Sequence, residues 1–184
     1  MHRRTFIQGA LALTAIPLVG TAAALTSTAE ENTMTHDTGS TATQTVDKLK
    51  KSKEEWRRLL ESDLQYEVLF EESTERAGTS PLNAEKRAGT FVCAACFLPL
   101  FDAKTKFESG TGWPSFYQPL AGRTESKRDF KLILPRTEYH CARCGGHQGH
   151  VFNDGPAPTG KRYCNNGVAL RFVPEGEALP ALRT

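Results

Sequence analysis

The chain has 184 residues, and its 23 Lys and Arg nearly balance its 21 Asp and Glu, which gives a formal net charge of +2 at pH 7. This balance supplies no electrostatic footprint for nucleic acid or acidic membrane surfaces, so we expect no nucleic-acid partner. The length suits one domain with a hydrophobic core plus terminal segments.

Residues 1–24 have the features of a signal segment. Arg3 and Arg4 precede Phe6 and an apolar stretch that runs to Val19, and residues 22–24 offer a small-residue cleavage site. Paired arginines followed by Phe resemble a twin-arginine signal, which a receptor reads. We therefore expect export to the periplasm or another extracytoplasmic location. Anchoring by an uncleaved segment is the alternative, but the apolar stretch is interrupted by Gly9, Thr14, Pro17 and Gly20.

Residues 25–46 predict a flexible linker, because they are rich in Thr, Ser, Ala and Glu and carry almost no large apolar side chains. The pattern becomes helical from Lys48 to Phe70, where apolar side chains recur at roughly helical spacing. We expect this segment to form a short helical lead-in that packs on the main domain. Its apolar residues are Trp56, Leu59, Leu60, Leu64, Tyr66 and Leu69.

The chain changes character from Gly89 onward. Short apolar runs at residues 90–92, 130–134 and 168–173 are separated by Gly, Pro and Asn turn signals. Short strand-like runs between turn signals predict antiparallel sheets. We therefore expect a mainly β domain over residues 50–178, preceded by short helices.

Four of the five cysteines form two C-x-x-C pairs. Two residues between cysteines allow a tight turn to present both sulfurs to one ion, and two such turns complete the tetrahedron that zinc prefers. We predict one structural zinc per chain, because four thiolates leave no position open for water. Two disulfides, which export permits, or a redox-active pair remain alternatives, although a redox pair is expected between a strand and a helix. The predicted ligands are Cys93, Cys96, Cys141 and Cys144.

The fifth cysteine, Cys164, stands alone in a polar and cationic setting. The neighbouring guanidinium of Arg162 favours the thiolate, which is the nucleophilic form. His147 and His150 are candidate proton donors near neutral pH. From the residues alone, a buried structural cysteine and a structural or second-metal role for the histidines remain open.

Several stretches in a fixed order resemble the B-type methionine sulfoxide reductases, which act on the R epimer of methionine sulfoxide. The resemblance extends over about residues 54–174. Its pieces are GTFVCAAC (89–96), FESGTGWPSF (107–116), CARCGGH (141–147), GHVFNDGP (149–156), RYCNN (162–166) and ALRF (169–172).

The resemblance implies a role for each matching residue. Cys164 matches the nucleophile, and Trp113 matches the aromatic wall that holds the methyl group of the substrate. The paired cysteines match zinc ligands that many members carry. The implied fold is a twisted antiparallel, β-tent-like domain with short helices, which agrees with the pattern above. The polar residues around the nucleophile are matched by His147, His150, Asp154, Arg162 and Asn166.

The implied activity is coherent with the chemistry of these residues. A sulfoxide sulfur is electrophilic and its oxygen must be protonated to leave, so a thiolate and an adjacent acid are required. Attack by Cys164 would release methionine and leave a sulfenic acid, which a thiol can reduce. Oxidised proteins or peptides are the expected substrates, in a role of oxidative-damage repair, and a monomer is expected.

Thr111 marks a departure from many relatives, in which this position is a second cysteine that resolves the sulfenic acid as a disulfide. The other four cysteines are assigned to zinc, so we expect an external thioredoxin-like protein or small thiol to complete the cycle. The alternative function is a zinc-ribbon-like protein-binding module without catalysis. Such a module would not need Cys164 beside His147 and His150.

Overall fold

The computed structural model describes residues 46–129 and 135–184. The predicted signal, nearly all of the predicted linker and the apolar run at residues 130–134 lie outside the described residues. Within the described ranges the structure is mainly antiparallel β with two short helices at its N-terminal side, which confirms the predicted fold class. Neither of these helices is long and apolar enough to cross a membrane.

The segment predicted as one helical stretch contains two helices, α1 (Lys53–Leu59) and α2 (Asp63–Glu71). Ser52 caps α1 in a reciprocal arrangement with Glu55, and Ser62 caps α2 by accepting a hydrogen bond from the Gln65 amide. A serine that satisfies free amide groups favours a helix start. Ser62 therefore begins a new helix where the apolar pattern alone suggested continuity.

The strands form a three-stranded sheet in the order β2-β1-β9 and a six-stranded sheet in the order β3-β4-β8-β7-β6-β5. All the strand pairs within the described ranges are antiparallel. The strands are β1 (Gly89–Cys93), β2 (Pro99–Asp102), β3 (Lys106–Phe107), β4 (Ser115–Phe116), β5 (Thr124–Asp129), β6 (Arg136–Cys141), β7 (His147–Phe152), β8 (Arg162–Asn165) and β9 (Leu170–Pro174).

An aromatic core joins the two sheets. The Phe101 ring of β2 stacks on Phe116 of β4 with centroids 4.1 Å apart, and Phe91 of β1 meets Phe116 edge-on at 4.9 Å. All three side chains are fully buried. Offset and edge-on aromatic pairs stabilise a core beyond the area they bury. Because β4 pairs with β8, this core supports the strand that carries Cys164.

The helices pack on the same core through Trp56 of α1 and Tyr66 and Leu69 of α2, which are nearly fully buried. Leu59 and Leu64, which belong to the same apolar pattern, remain substantially exposed. The helical lead-in therefore buries one face against the sheets and leaves part of its apolar pattern at the surface.

Candidate active site and cysteine cluster

The four paired cysteines converge on one point, with all their Sγ atoms within 4.8 Å of one another. The Sγ atoms of Cys93 and Cys144 are 3.7 Å apart, and those of Cys96 and Cys141 are 3.6 Å apart. Sulfur ligands about 2.3 Å from a tetrahedral zinc lie about 3.8 Å from one another. The cluster therefore has the spacing of a four-sulfur metal site, and none of the five cysteines forms a disulfide.

The two C-x-x-C turns have the same backbone conformation. The amides of Phe97 and Gly145, four residues after Cys93 and Cys141, donate to the carbonyls of those cysteines at 2.9 Å. Phe97 and Gly145 also share a left-handed backbone, with φ of 64° and 73°. One turn connects β1 to β2 and the other connects β6 to β7. Neither pair lies between a strand and a helix, which is the setting expected of a redox pair.

Cys164 lies on β8, between two neighbouring strands that each place a functional side chain opposite it. His150 of β7 is its partner in the β7–β8 register, and Ser115 of β4 is its partner on the other side. The Cys164 side chain is half-buried. Burial raises the pKa of its thiol, while a hydrogen bond from Thr111 and the charge of Arg162 act in the opposite direction.

A cavity of about 100 Å³ opens at Cys164. Its lining combines two aromatic side chains, Trp113 and Phe152, with the His150 imidazole. The remaining lining residues are Thr74, Arg136, Gly149, Asn165 and Asn166. An apolar wall and a titratable group on either side of a nucleophile are suited to a small substrate with one apolar and one polar end.

His150 is held by a carboxylate. Its Nε2 lies 2.8 Å from Asp129 Oδ2, which also accepts a hydrogen bond from Arg136 at 2.7 Å. The Nε2–H group donates to Asp129, so a second proton enters at Nδ1. Burial lowers the pKa of His150, and the neighbouring charges of Arg136 and His147 lower it further against the opposing effect of Asp129.

His147 is buried beside His150, with the ring centroids 5.4 Å apart. Its Nδ1 lies 2.8 Å from Glu138 Oε1, whereas its Nε2 is buried without a partner in the part of the chain that the structure describes. Burial raises the pKa of Glu138, but hydrogen bonds from His140 and His147 outweigh it and hold the pKa at about 2. Glu138 is therefore an anion near neutral pH, and its contact with Nδ1 orients the His147 ring.

A β-bulge brings the two histidines together. In the β6–β7 register His140 pairs with His147 and Tyr139 pairs with Gly149, so Gln148 is an extra residue in β7. In a regular strand, side chains three residues apart point to opposite faces. The bulge changes this alternation, because an extra residue re-aims the side chains that follow it.

Arg162 and Asp154 form a two-pronged ion pair with both N–O distances at 2.8 Å. The Arg162 guanidinium also lies over the Phe152 ring, 4.2 Å from its centroid. Arg162 is two residues from Cys164, so its side chain lies on the same face of β8. Asp154 thus orients a cation near Cys164, while Asp154 itself does not line the cavity at Cys164.

Asn166 and Trp113 are connected through the segment that carries Glu75. Asn166 Oδ1 accepts from the Glu75 amide at 3.0 Å, and its Nδ2 donates to the Gln148 carbonyl at 3.0 Å. The Trp113 Nε1–H group donates to the Glu75 carbonyl at 3.1 Å. Both ends of the Asn166 amide are therefore engaged in holding the cavity walls together.

Several residues of the site are not predicted by the sequence. Asp129, Glu138 and Arg136 lie in charged strands, and no sequence signal separates them from solvent-facing residues. Phe152 did leave a signal, because it follows His150 by two residues and so shares its face of a strand.

Residues 61–174 match the SelR domain. The chain belongs to the SelR domain family. The peptide methionine sulfoxide reductase MsrB of Methanosarcina barkeri (strain Fusaro / DSM 804) is 51% identical over 130 residues, which are 70% of this chain and 91% of the relative. The enzyme of that name from Pseudomonas putida (strain W619) is 51% identical over 134 residues, or 72% of this chain and 100% of the relative.

Relatives of the SelR domain family also occur in plants. The chloroplastic peptide methionine sulfoxide reductase B1 of Oryza sativa subsp. japonica is 50% identical over 120 residues, which are 65% of this chain and 56% of that protein. The matched region contains every described residue that the sequence analysis assigned to the site. Family membership confirms the resemblance to B-type reductases, while the twin-arginine signal stays a prediction.

Proposed function

We propose that this chain reduces methionine-R-sulfoxide in peptides or proteins to methionine, as an oxidoreductase that repairs oxidised proteins. The observation that carries the proposal is the cavity at Cys164, where a half-buried thiol meets two aromatic walls and a histidine. The names of the relatives, peptide methionine sulfoxide reductases at about half identity over nearly their whole length, support the same substrate class.

The first step transfers oxygen from one sulfur to another. The Cys164 thiolate attacks the sulfoxide sulfur, the oxygen is protonated, and the products are methionine and a sulfenic acid on Cys164. We assign the delivery of the proton to His150, and its position opposite Cys164 in the strand register supports this assignment. The His147 ring packs against the His150 ring, and Asp129 fixes the tautomer of His150.

The epimer preference follows from an asymmetric cavity. Trp113 and Phe152 provide the apolar wall for the methyl group, and His150 provides the proton donor for the oxygen. A sulfoxide sulfur is a stereocentre, so only one epimer directs its methyl to the wall and its oxygen to the acid while presenting its sulfur to Cys164. The rings of Trp113 and Phe152 are positioned by Glu75 and Arg162 respectively.

The second step needs an external thiol, because Thr111 stands beside Cys164 where many relatives have the resolving cysteine. The four remaining cysteines lie together in the metal-type cluster. Two thiol groups of a thioredoxin-like protein or a small thiol reduce the sulfenic acid to the thiol, giving a disulfide and water. A monomer suffices for this cycle.

The ion we propose for the cysteine cluster is zinc, held by Cys93, Cys96, Cys141 and Cys144. Four thiolates at tetrahedral spacing suit zinc and leave no open coordination position, so its role is structural. The Gln148 side-chain amide lies 3.6 Å from Cys93 Sγ and accepts from Asn165 at 3.3 Å, so it connects the cluster with β8.

For location we propose export through the twin-arginine pattern of residues 1–24, to an extracytoplasmic site where damaged envelope or secreted proteins are the clients. Replacement of both Arg3 and Arg4 by Lys tests this in cells, because receptor recognition depends on the arginine pair. We expect the variant to remain in the cytoplasm. Export of the variant at the level of the parent would contradict the proposal.

The activity is tested with the two separate epimers of a methionine sulfoxide peptide and dithiothreitol as reductant. We expect turnover of the R epimer only, and loss of turnover in Cys164→Ser with unchanged circular dichroism and thermal unfolding. Retained activity in a folded Cys164→Ser protein would sink the assignment. Absence of turnover in the metal-loaded parent protein would favour the binding-module alternative instead.

A further inference from the structure

Three hydroxyl groups form a continuous chain that ends at the Cys164 sulfur. Thr111 Oγ1 lies 3.9 Å from Cys164 Sγ, and Ser109 Oγ lies 2.8 Å from Thr111 Oγ1. Ser115 Oγ lies 2.7 Å from Ser109 Oγ and 3.1 Å from the Trp113 carbonyl oxygen. The first contact is at the long end for sulfur, and the O–O distances are typical of hydroxyl hydrogen bonds.

This chain of hydroxyl groups can donate its hydrogen bonds in either of two opposite directions. With a neutral thiol, Cys164 donates to Thr111, Thr111 to Ser109, Ser109 to Ser115, and Ser115 to the Trp113 carbonyl. With an anionic sulfur, each hydroxyl rotates, so that Ser115 donates to Ser109, Ser109 to Thr111, and Thr111 to the sulfur. Each hydroxyl carries one donor and can accept as well, so both directions leave its donor satisfied.

We propose that Thr111, Ser109 and Ser115 act as a reversible hydroxyl relay that donates toward the Cys164 sulfur when it is an anion. No proton travels along the relay; the thiol proton leaves to water, and only the hydroxyl rotors turn. A thiolate and the oxygen of a sulfenate need the same donor. The catalytic meaning of the relay rests on the proposed function, in which Cys164 attacks as a thiolate.

The hydrogen bonds of the relay strengthen one another, because aligned hydrogen bonds polarise one another in a site of low dielectric. Ser115 is fully buried, and Ser109 and Thr111 line a separate cleft of about 370 Å³ on the side of Arg162. Where two-cysteine relatives have the resolving cysteine, this protein has Thr111, whose hydroxyl is a hydrogen-bond donor. Thr111 and Ser109 are positioning residues for the nucleophile.

Charged and titratable groups face Cys164 from the surrounding elements as well. Burial raises the pKa of the Cys164 thiol, so every donor and cation at the sulfur counts in its ionisation. Those groups are Arg162 of β8 with its partner Asp154, His150 of β7 with Asp129, and Arg136 and Tyr139 of β6. The test therefore changes only uncharged hydroxyls.

The experiment measures the rate of Cys164 alkylation by iodoacetamide against pH in the metal-loaded protein, with peptide mass spectrometry to follow Cys164 alone. Thr111→Val keeps the branched shape and removes the donor, and we expect its pH midpoint to rise by about one unit. Ser109→Ala interrupts the second hydrogen bond and should raise the midpoint by less. Thr111→Ser restores the hydroxyl and should return the parent midpoint.

The matched control is Thr159→Val, which removes a hydroxyl that bonds the Tyr117 carbonyl instead of the relay. We expect the parent midpoint for this control. An unchanged midpoint in Thr111→Val, or an equal rise in Thr159→Val, would overturn the relay. If Thr111→Val does not fold, an unchanged midpoint in Ser109→Ala would likewise overturn the relay. Alkylation requires no turnover, so this outcome is independent of the proposed activity.

Discussion

At the scale of single residues, the site depends on groups that set the protonation of Cys164 and His150, the two side chains proposed to react. Cys164 has a raised pKa because of burial, and His150 has a lowered pKa for the same reason. At neutral pH the resting site is therefore mostly thiol and neutral imidazole. The reactive pair, a thiolate and an imidazolium, is a minority form whose population depends on the neighbouring charges.

The Asp129→Asn variant tests the proton donor. Asp129 raises the pKa of His150 against burial, so its loss should lower that pKa further. The active form combines protonated His150 with the Cys164 thiolate, and the pKa of His150 lies below that of Cys164. A lower pKa of His150 should therefore move the acidic limb of the kcat/KM profile about one pH unit downward and lower the plateau about tenfold. The measurement is kcat/KM for the R epimer between pH 4 and 10.

Glu125→Gln is the matched control, since Glu125 lies on the same strand and pairs with Lys48 instead of His150. Its acidic limb should match that of the parent protein. A profile of Asp129→Asn that coincides with the parent in both limb and plateau would rule out His150 as the donor that Asp129 tunes.

At the scale of elements, two features control the placement of β7 and β8: the cysteine cluster and a close backbone approach. Cys93 ends β1 in one sheet, and Cys141 ends β6 in the other. An ion bound by both turns would connect the two sheets. The stability of the site strands is therefore coupled to metal binding.

Loss of a cysteine ligand should act through stability. We expect about one zinc per chain by elemental analysis, and Cys141→Ser should lose the metal and unfold at much lower temperature, because binding energy on the order of 10 kcal/mol at a structural site is folding energy. Cys164→Ser is the internal control and should retain both metal and stability. Freshly purified protein with no metal and two disulfides by mass would show the assignment to be wrong.

Gly149 is a point of close approach between β7 and β8. A Cβ atom at this position would lie 1.9 Å from the Cys164 carbonyl oxygen, a backbone atom that cannot move without separating the strands. Gly149→Ala should therefore destabilise the protein by about 3 kcal/mol or more, as overpacking of a rigid site does. Chemical denaturation measures the free energy of unfolding.

Gly160→Ala separates steric overlap from backbone strain. Gly160 has a φ of 66° and no atom within 4 Å of an added Cβ, so only the left-handed backbone is penalised. We expect a loss of about 1 kcal/mol. Equal losses in the two variants would contradict a role for close strand approach at Gly149.

At the scale of the whole molecule, the protein separates Cys164, the proposed nucleophile, from a cluster of the other four cysteines. Cys164 lies on the face of β8 that meets Thr111, while the four paired cysteines lie between the turns of the two sheets. One turnover without reductant should therefore leave a sulfenic acid that a sulfenate-specific dione traps. Recycling then depends on a second molecule.

Thr111→Cys tests this division between the catalytic and clustered cysteines. The Thr111 and Cys164 side chains already face each other, with Oγ1 and Sγ 3.9 Å apart. A disulfide needs the sulfurs at about 2.05 Å, which is a small further approach. We expect one turnover to convert most of the variant to a disulfide between positions 111 and 164, detected by mass spectrometry of the digested protein.

Thr159→Cys is the control, because it adds an exposed thiol that contacts Tyr117 instead of Cys164. It should give the sulfenic acid of the parent protein. A disulfide between Cys164 and a clustered cysteine in the parent, with release of metal, would contradict the separation of the two sets.

The sequence by itself determined the chemical inventory of this protein. Two C-x-x-C pairs allow one tetrahedral four-sulfur site, a lone cysteine two residues from Arg162 is a candidate nucleophile, and short runs between turn signals indicate antiparallel sheets. These properties depend on local spacing and residue chemistry, so they can be read without the fold. The ordered motifs then identified the family, which the comparison confirmed.

Only the tertiary structure decided how these residues meet. His147 and His150 share a site because the bulge at Gln148 changes the alternation of β7, and the bulge depends on pairing with β6. Asp129 and Glu138 became partners of the histidines through contacts 21 and 9 residues apart in the chain. Strand register and long-range packing set these contacts, and neither is encoded in the spacing of residues along one segment.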